Sequence, residues 1–260
     1  MSTWKLQELN YQQVKNSDFE VALLPISAVE AHNLHLPYGT DYYQIEAIAD
    51  RACEKAAEAG AKPVRLPGIP YGVESNLDKF PLSIHVQQST LNLVVSDIVK
   101  ALEKDGIRKL VILNGHGGND FKGCVRDLYA KSDVFIFVAD WYRMAPDTLN
   151  EVFEDPGDHA DEMETSCCLH LVPELVHLNQ ADEGAIRESR FKAMNQGLVW
   201  TTRPFDRLTT NCGVGNPHRA TAEKGEKYLE AVVANLAEFL VELSASEIDG
   251  LFPFKESSSS

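Results

Sequence analysis

Short apolar runs alternate with longer amphipathic stretches along the first 140 residues. Runs rich in branched and aromatic side chains predict buried strands at 21–25, 62–66, 109–113 and 133–138. Apolar residues at helical spacing predict helices between them, at about 42–59, 90–105 and 120–130. Alternating strands and helices predict an α/β fold, a three-layer α/β/α arrangement with a mostly parallel central sheet.

The C-terminal half has a weaker pattern. We predict a helix that opens within 159–166 and stops at Pro173, and a long amphipathic helix over 220–244. The acidic segment 150–158 is predicted to be a loop, and 180–216 a loop with two irregular strands. Residues 1–256 are expected to form one domain, and the polar tail 257–260 is expected to be disordered.

Composition narrows the class of protein. The formal net charge is -15, with 39 acidic and 24 basic side chains, which argues against binding to nucleic acid or to anionic membranes. The 5 cysteines show no CxxC spacing, so buried free thiols in a reducing compartment are expected. Neither a signal peptide nor an apolar run of about 20 residues is evident, so we expect a cytoplasmic protein.

Candidate metal ligands follow the first predicted strand. Glu30, His32 and Asp41 lie in the loop that leaves its carboxyl end, the edge where open parallel sheets place their active sites. Asp41 stands at a predicted helix start, so its alternative role is to cap that helix.

A second group of polar residues follows the third predicted strand, where a histidine is flanked by glycines in Asn114-Gly115-His116-Gly117-Gly118-Asn119. Such a turn could also cradle a phosphate, but it lacks both GxGxxG and a GK[ST] ending. With Glu30, His32 and Asp41, His116 completes a set of two carboxylates and two imidazoles, which suits Zn²⁺, Mn²⁺ or Fe²⁺. One catalytic ion needs three protein ligands, so the fourth makes a two-metal hydrolytic site plausible.

These residues resemble motifs of the creatininase, or creatinine amidohydrolase, family. The leading Glu-x-His pattern is similar to Glu30-Ala31-His32 through Asp41, and the second motif matches residues 114–119 residue for residue. His159 with Glu164-Thr165-Ser166 is similar to the third motif. The fourth is similar to Gly215-Asn216-Pro217 with residues 220–225.

The resemblance implies two divalent ions per chain, with Zn²⁺ preferred over Mn²⁺ or Fe²⁺. Glu30 and His116 would serve one ion and His32 the other, with Asp41 bridging them. It also implies that His159 is the catalytic or substrate-holding imidazole, that Trp141 gates the substrate, and that the chain forms a closed homo-oligomer such as a hexamer. From position alone, we add His35 and Tyr38 as candidate substrate contacts.

The chain departs from the creatinine-cleaving members at three places. Gly118 replaces a glutamate that completes the second ion's shell, so Glu164, or failing that Glu162, would take its place. The usual Phe-Pro-Gly-Thr segment is replaced by residues 80–83, Phe-Pro-Leu-Ser. Asp155 stands where a substrate-contacting tryptophan is expected, which disfavours creatinine itself because a stacking surface is lost.

The predicted function is metal-dependent hydrolysis of a C–N bond in a small cyclic amide or formamide through a metal-bridging hydroxide. One alternative is a metal-dependent hydrolase that opens a carbohydrate-like cyclic ketone or lactone. The other is a non-catalytic protein that binds a metal or a small ligand.

Overall fold

The computed structural model describes residues 3–154 and 157–256. Within these residues the strands form one parallel sheet of four, in the order β2-β1-β3-β4. Their bounds are β1 Val21–Ile26, β2 Pro63–Arg65, β3 Lys109–Asn114 and β4 Phe135–Asp140. The predicted strands and the α/β class are therefore confirmed, with ends that differ by one or two residues.

Helices cover both faces of this sheet, which places the core in two layers. Alternate residues of β1 and β3 explain this, since successive side chains of a strand point to opposite faces. Val21, Leu23, Val111 and Leu113 pack in one cluster, while Ala22, Leu24, Leu110 and Ile112 pack in the other.

The helices are α1 Tyr11–Lys15, α2 Thr40–Glu58, α3 Gln88–Lys104, α4 Lys122–Tyr129, α5 Pro146–Val152, α6 Glu162–Leu171, α7 Lys192–Asn195, α8 Phe205–Leu208 and α9 Ala222–Ala245.

Two predictions for the C-terminal half are wrong. The predicted loop at 150–158 begins inside α5, because Pro146 starts that helix with a backbone angle already suited to it. No strand lies between residues 180 and 216, all of which the structure describes. Short helical turns and side-chain hydrogen bonds hold this segment, and its one β-type pairing in the described residues is the isolated bridge from Val214 to His159. The predicted disorder of 257–260 concerns residues outside the described ranges.

The order of the strands fixes where a site can form. β1 and β3 are adjacent, and the chain leaves them for opposite edges of the sheet, so the loops after Ile26 and Asn114 diverge above a crevice. No helix in the described ranges combines the length and the apolar character that a membrane crossing requires.

Candidate metal centre

A cavity of about 320 Å³ opens at the carboxyl ends of β1 and β3. Its floor contains side chains that follow these strands, together with residues before and within α6. The described residues lining it include Glu30, Asp41, His116, His159 and Glu164. The structure therefore brings five of the predicted site residues to one place.

Asp41 lies between two imidazoles. Its Oδ1 is 3.0 Å from His32 Nε2, and its Oδ2 is 3.1 Å from His116 Nδ1. The N-cap position of α2 belongs to Gly39, and Asp41 is the second residue of the helix. The helix-capping alternative is therefore wrong, and the carboxylate faces the two histidines with one oxygen each.

His116 is held by groups on both of its ring nitrogens. Nδ1 lies 3.0 Å from Glu30 Oε1, on the side that also faces Asp41, while Nε2 lies 3.2 Å from the carbonyl oxygen of Val73. Because a carbonyl can only accept, Nε2 carries the proton in neutral His116 and Nδ1 presents its lone pair to the carboxylates. Asn114 Oδ1 accepts from the backbone N–H of His116 and fixes the turn.

Glu164 completes the other side of the cluster. Its Oε2 lies 3.8 Å from His32 Nε2 and accepts a 2.6 Å hydrogen bond from the backbone N–H of Ala160. Glu162 points elsewhere, since it forms an ion pair with Lys224 and accepts a hydrogen bond from the backbone of Glu154. Of the two carboxylates considered in the sequence, Glu164 is the one that the fold directs toward His32.

The cluster fits a divalent metal by its own geometry. Glu30 Oε1 and Oε2 and His32 Nε2 are buried and make no hydrogen bond of good geometry among the described residues, although His116 and Asp41 lie about 3.0 Å away, an arrangement that is costly unless a cation completes it. Three sets of ligand atoms lie within 4.8 Å of one another: Glu30-His32-His159, Glu30-Glu74-His116 and His32-Asp41-Glu164. Nitrogen and carboxylate oxygen are donors that Zn²⁺ and Mn²⁺ accept.

The pKa shifts reflect the density of carboxylates. Burial opposes the charged form of His32, but Asp41 and Glu164 outweigh it and raise the pKa of His32 to about 10. The pKa of His116 is likewise raised well above its usual value, because Glu30 and Glu74 outweigh its burial. Burial raises the pKa of Glu164 to about 8. The carboxylates around His32 and His116 therefore favour positive charge at this place.

His159 differs from these two histidines. Its Nε2 donates a 2.8 Å hydrogen bond to the carbonyl of Ala31, so Nδ1 is left as the acceptor, 3.7 Å from Glu30 Oε1. Burial, followed by the nearby charge of His32, lowers the pKa of His159 to about 4. The ring stacks 4.1 Å from that of His32 and is neutral near pH 7. His159 can therefore accept a proton at Nδ1.

Sequence analysis missed Glu74. This residue follows Gly72 in the loop after β2, its side chain is fully buried, and its Oε2 lies 3.5 Å from His116 Nε2. Burial, followed by the neighbouring Glu30 and Asp41, raises the pKa of Glu74 to about 10. The segment 66–87 between β2 and α3 contains two acids, Glu74 and Asp78, and neither stands in a spacing typical of a metal site, so only the folded loop reveals Glu74.

Trp141 does not reach the cavity. It is only 1% exposed and packs against Tyr142 and Tyr228 in the core, with ring centroids 6.5 and 6.0 Å away. Among the described residues, Tyr142 lines the cavity in its place. The placement of the Trp141 ring thus gives no support to a gating role, and Asp155 lies outside the described residues.

The other two predicted substrate contacts also lie away from the cavity lining. His35 is buried, and its Nε2 is 2.8 Å from Thr165 Oγ1 in the residue after Glu164. Tyr38 is partly exposed and donates a hydrogen bond to the carbonyl of Pro81. Neither belongs to the described lining, so both remain predictions without support from the geometry.

Besides supplying His159 and Glu164, the third and fourth motifs build the support of the site. His159 pairs through its backbone with Val214, which ties the two motifs together. A Cβ on Gly225 would meet the carbonyl oxygen of Ser166 at 2.0 Å, so a glycine is needed where α9 crosses α6. Thr221 caps α9 by accepting from the backbone N–H of Lys224.

The chain is similar to known proteins over most of its length. The family model described as Creatininase: Creatinine amidohydrolase matches residues 7–240. A creatinine amidohydrolase from Pseudomonas putida is 28% identical, over 92% of this chain and 94% of its own. A mycofactocin precursor peptide peptidase from Mycolicibacterium smegmatis is 27% identical, over 84% and 83%. A 3-dehydro-scyllo-inosose hydrolase from Thermotoga maritima is 23% identical, over 87% and 79%.

Solved structures share the fold over nearly the whole chain. A Bacteroides fragilis protein, provisionally called a creatinine amidohydrolase, has a TM-score of 0.89 and 37% identity, covering 96% of this chain and 100% of its own. A manganese form of creatininase has a TM-score of 0.76 and 25% identity, covering 94% and 100%.

Proposed function

The chain belongs to the creatininase family of hydrolases, which act on C–N bonds, and we propose that it hydrolyses a small cyclic amide or formamide at a two-metal centre. The observation that carries this proposal is that the two oxygens of the Asp41 carboxylate face different histidines, one facing His32 and the other facing His116. A carboxylate that presents one oxygen to each side can bridge two ions roughly 3.5–4 Å apart.

Two ligand sets share Asp41. Glu30 and His116 would hold one ion, and His32 and Glu164 would hold the other. When bound, such ions supply a hydroxide near neutral pH and polarise a carbonyl oxygen. Zn²⁺ is the ion we propose first, with Mn²⁺ and Fe²⁺ as alternatives, because the donors are oxygen and nitrogen without thiolate.

His159 is the proposed catalytic base. Its Nε2–H is fixed by the carbonyl of Ala31, so Nδ1 keeps a lone pair beside Glu30. This nitrogen can take a proton from the attacking water and deliver it to the leaving nitrogen of the amide. The low pKa supports this role, because the ring must begin each cycle uncharged.

The size of the cavity supports a small substrate. Its volume of about 320 Å³ lies at the lower end for ligand pockets. Apolar side chains of Met163 and Phe205 line part of it, and Asn76 and Arg203 offer polar contacts. A ring or formyl group of a few heavy atoms fits these surroundings better than an extended peptide.

The Thermotoga maritima relative favours a second candidate. Its name states that it hydrolyses 3-dehydro-scyllo-inosose. The corresponding function here would be hydrolytic opening of a carbohydrate-like cyclic ketone or lactone. Both candidates use the same metal centre and differ in the bond that breaks.

The two candidates are separated by one assay. Chelated protein is reloaded with Zn²⁺ or Mn²⁺ and offered creatinine, other cyclic amides, formamides, a short peptide and a cyclic polyol ketone. We expect metal-restored turnover on a cyclic amide or a formamide, and none with His116→Ala. Turnover confined to the ketone would replace the amide proposal with the second candidate.

Three expectations remain predictions beside this proposal: a closed homo-oligomer such as a hexamer, one domain over 1–256, and a cytoplasmic location.

A further inference from the structure

The loop after β2 is clamped onto the loop that carries His116. Both backbone groups of Val73 are used, since its N–H donates to Asn119 Oδ1 at 2.9 Å and its carbonyl lies 3.2 Å from His116 Nε2. Gly72 lies against the same Asn119 side chain, since a Cβ there would meet Asn119 Oδ1 at 2.8 Å, and it also lies against the loop after β1, where the Ser27 carbonyl oxygen would be 2.5 Å away. Glu74 follows Val73 directly, so its position is fixed by the contacts between Val73 and the loop that carries His116.

Glu74 is placed behind the ring of His116 rather than in the cavity. Its side chain is fully buried, and neither carboxyl oxygen has a hydrogen-bond partner among the described residues. Oε2 lies 3.5 Å from His116 Nε2, the nitrogen that faces away from Asp41. Burying a carboxyl group against other acids costs stability, so a purely structural role does not explain it.

Gly118 provides the space for this arrangement. A Cβ at this position would lie 2.3 Å from both His116 Nε2 and the Val73 carbonyl oxygen. These distances are far below any real contact, and one of the two atoms is backbone. Gly117 offers a contrast, since a Cβ there meets no atom within 4 Å. A glycine is therefore required at 118 for the loop of Glu74 to approach the histidine.

We propose that Glu74 is a positioning residue for His116, brought to Nε2 by a loop that only a glycine at 118 admits. This inference rests on the proposed metal centre. A carboxylate behind a ligating imidazole fixes which nitrogen carries the proton and makes the other a stronger donor. Here the Nε2–H donates to the Val73 carbonyl, Glu74 Oε2 lies 3.5 Å from the same nitrogen, and Nδ1 is presented between Glu30 and Asp41.

The first experiment measures metal affinity without turnover. Zn²⁺ is titrated by chelator competition into wild type, Glu74→Ala and Glu74→Gln, with Asp78→Asn as the control because Asp78 is exposed in the same loop. Losing a carboxylate behind a ligand weakens binding by about 10- to 100-fold. We expect that loss for alanine, a smaller one for glutamine, which keeps an acceptor, and none for Asp78→Asn.

Stability of the metal-free protein separates positioning from scaffolding. The melting temperature of metal-free Glu74→Gln is expected to match that of the wild type, because glutamine keeps the shape of the side chain and the Glu74 carboxyl makes no well-formed hydrogen bond in the described residues. A scaffolding role predicts a lower melting temperature. The Co²⁺-loaded variant should also show a shifted visible absorption band, since the orientation of His116 changes.

The second experiment tests the glycine. Gly118→Ala should weaken Zn²⁺ binding by a factor similar to that of Glu74→Ala, while Gly117→Ala should not. If Gly118→Ala does not fold, the Glu74 variants still decide the question.

Each outcome bears on one claim. Wild-type protein that binds no Zn²⁺ would defeat the proposed metal centre. Wild type that binds two ions, with Glu74→Ala and Glu74→Gln of unchanged affinity, would overturn the positioning role alone. Loss of one ion per chain in Glu74→Gln, with the other held at full affinity, would also overturn it, because Glu74 would then be a direct ligand.

Discussion

The two sides of Asp41 are built differently. On one side, His116 is contacted at both ring nitrogens, by Glu30 and Asp41 at Nδ1 and by Val73 and Glu74 at Nε2. We call this the His116 side. On the other, the His32 side, Nε2 faces Asp41 and Glu164, and Nδ1 lies 3.1 Å from the carbonyl oxygen of Glu30 in its own loop.

This difference shows which half is fixed by the sheet and which depends on a helix. The His116 side combines loops that leave β1, β2 and β3. The His32 side needs Glu164, which comes from α6 and is oriented by the backbone of Ala160, a non-glycine residue with a φ of 52°. We expect the His116 side to bind its ion more tightly, because its ligands are better preorganised.

The largest predicted effect follows from the residue that both sides share. Asp41→Asn keeps the shape of the side chain but removes its charge, so both ions should be held poorly. We expect a loss of turnover greater than the roughly 100-fold that removal of an outer partner costs. Elemental analysis should find less than one ion per chain. Asp97→Asn, on the exposed face of α3, is the control, and two ions retained by Asp41→Asn would refute the bridging role.

Substitution of Glu164 should weaken metal binding on the His32 side alone. Glu164→Gln is expected to lose the more weakly held ion and most of the turnover, while one ion per chain remains on the His116 side. Glu162→Gln is the matched control two residues away, and it should keep both ions. Its melting temperature should fall, because the buried ion pair with Lys224 is lost. Equal metal content in the two variants would show that the sides are not distinct.

The pH dependence of metal binding should sharpen the comparison. His32, whose folded-state pKa is about 10, must release a proton before Nε2 binds an ion, and so must His116, whose pKa is also raised. Affinity should therefore rise with pH through neutrality, by about tenfold per unit for each proton displaced. Chelator competition at several pH values measures this, and a pH-independent affinity would contradict it.

The smallest effect is expected for a residue outside both sides. Trp141→Phe should change KM by less than about twofold, since the ring is buried in the core, and should lower the melting temperature through lost packing. Tyr142→Phe should alter KM more, because Tyr142 lines the cavity. A large KM change for Trp141→Phe with unchanged stability would restore the gating role that the sequence suggested.

The sequence was sufficient for the sheet and for half of the site. The strands around Leu23 and Ile112 are short apolar runs with no competing interpretation, and Glu30, His32, Asp41 and His116 directly follow two of them. Such local patterns depend only on backbone geometry. The segment 180–216 has no hydrophobic periodicity. It is held by side-chain hydrogen bonds between residues that are far apart in the sequence, so its structure could not be predicted from a local pattern.

The rest of the site depends on contacts between distant segments. The sequence left Glu164 and Glu162 as alternatives, and only the turn of α6 separates them, since Glu162 faces Lys224. Glu74 could not be found, because its role follows from how the loop of Val73 packs on Gly118. Trp141 follows β4 directly, but its ring turns into the core instead of the cavity.

Anomalous diffraction from crystals grown with Zn²⁺ would test the central claim most directly. The account predicts two peaks roughly 3.5–4 Å apart. One should lie between Asp41 Oδ2, Glu30 and His116 Nδ1, and the other between Asp41 Oδ1, His32 Nε2 and Glu164. A single peak, or two peaks of which only one contacts Asp41, would contradict it.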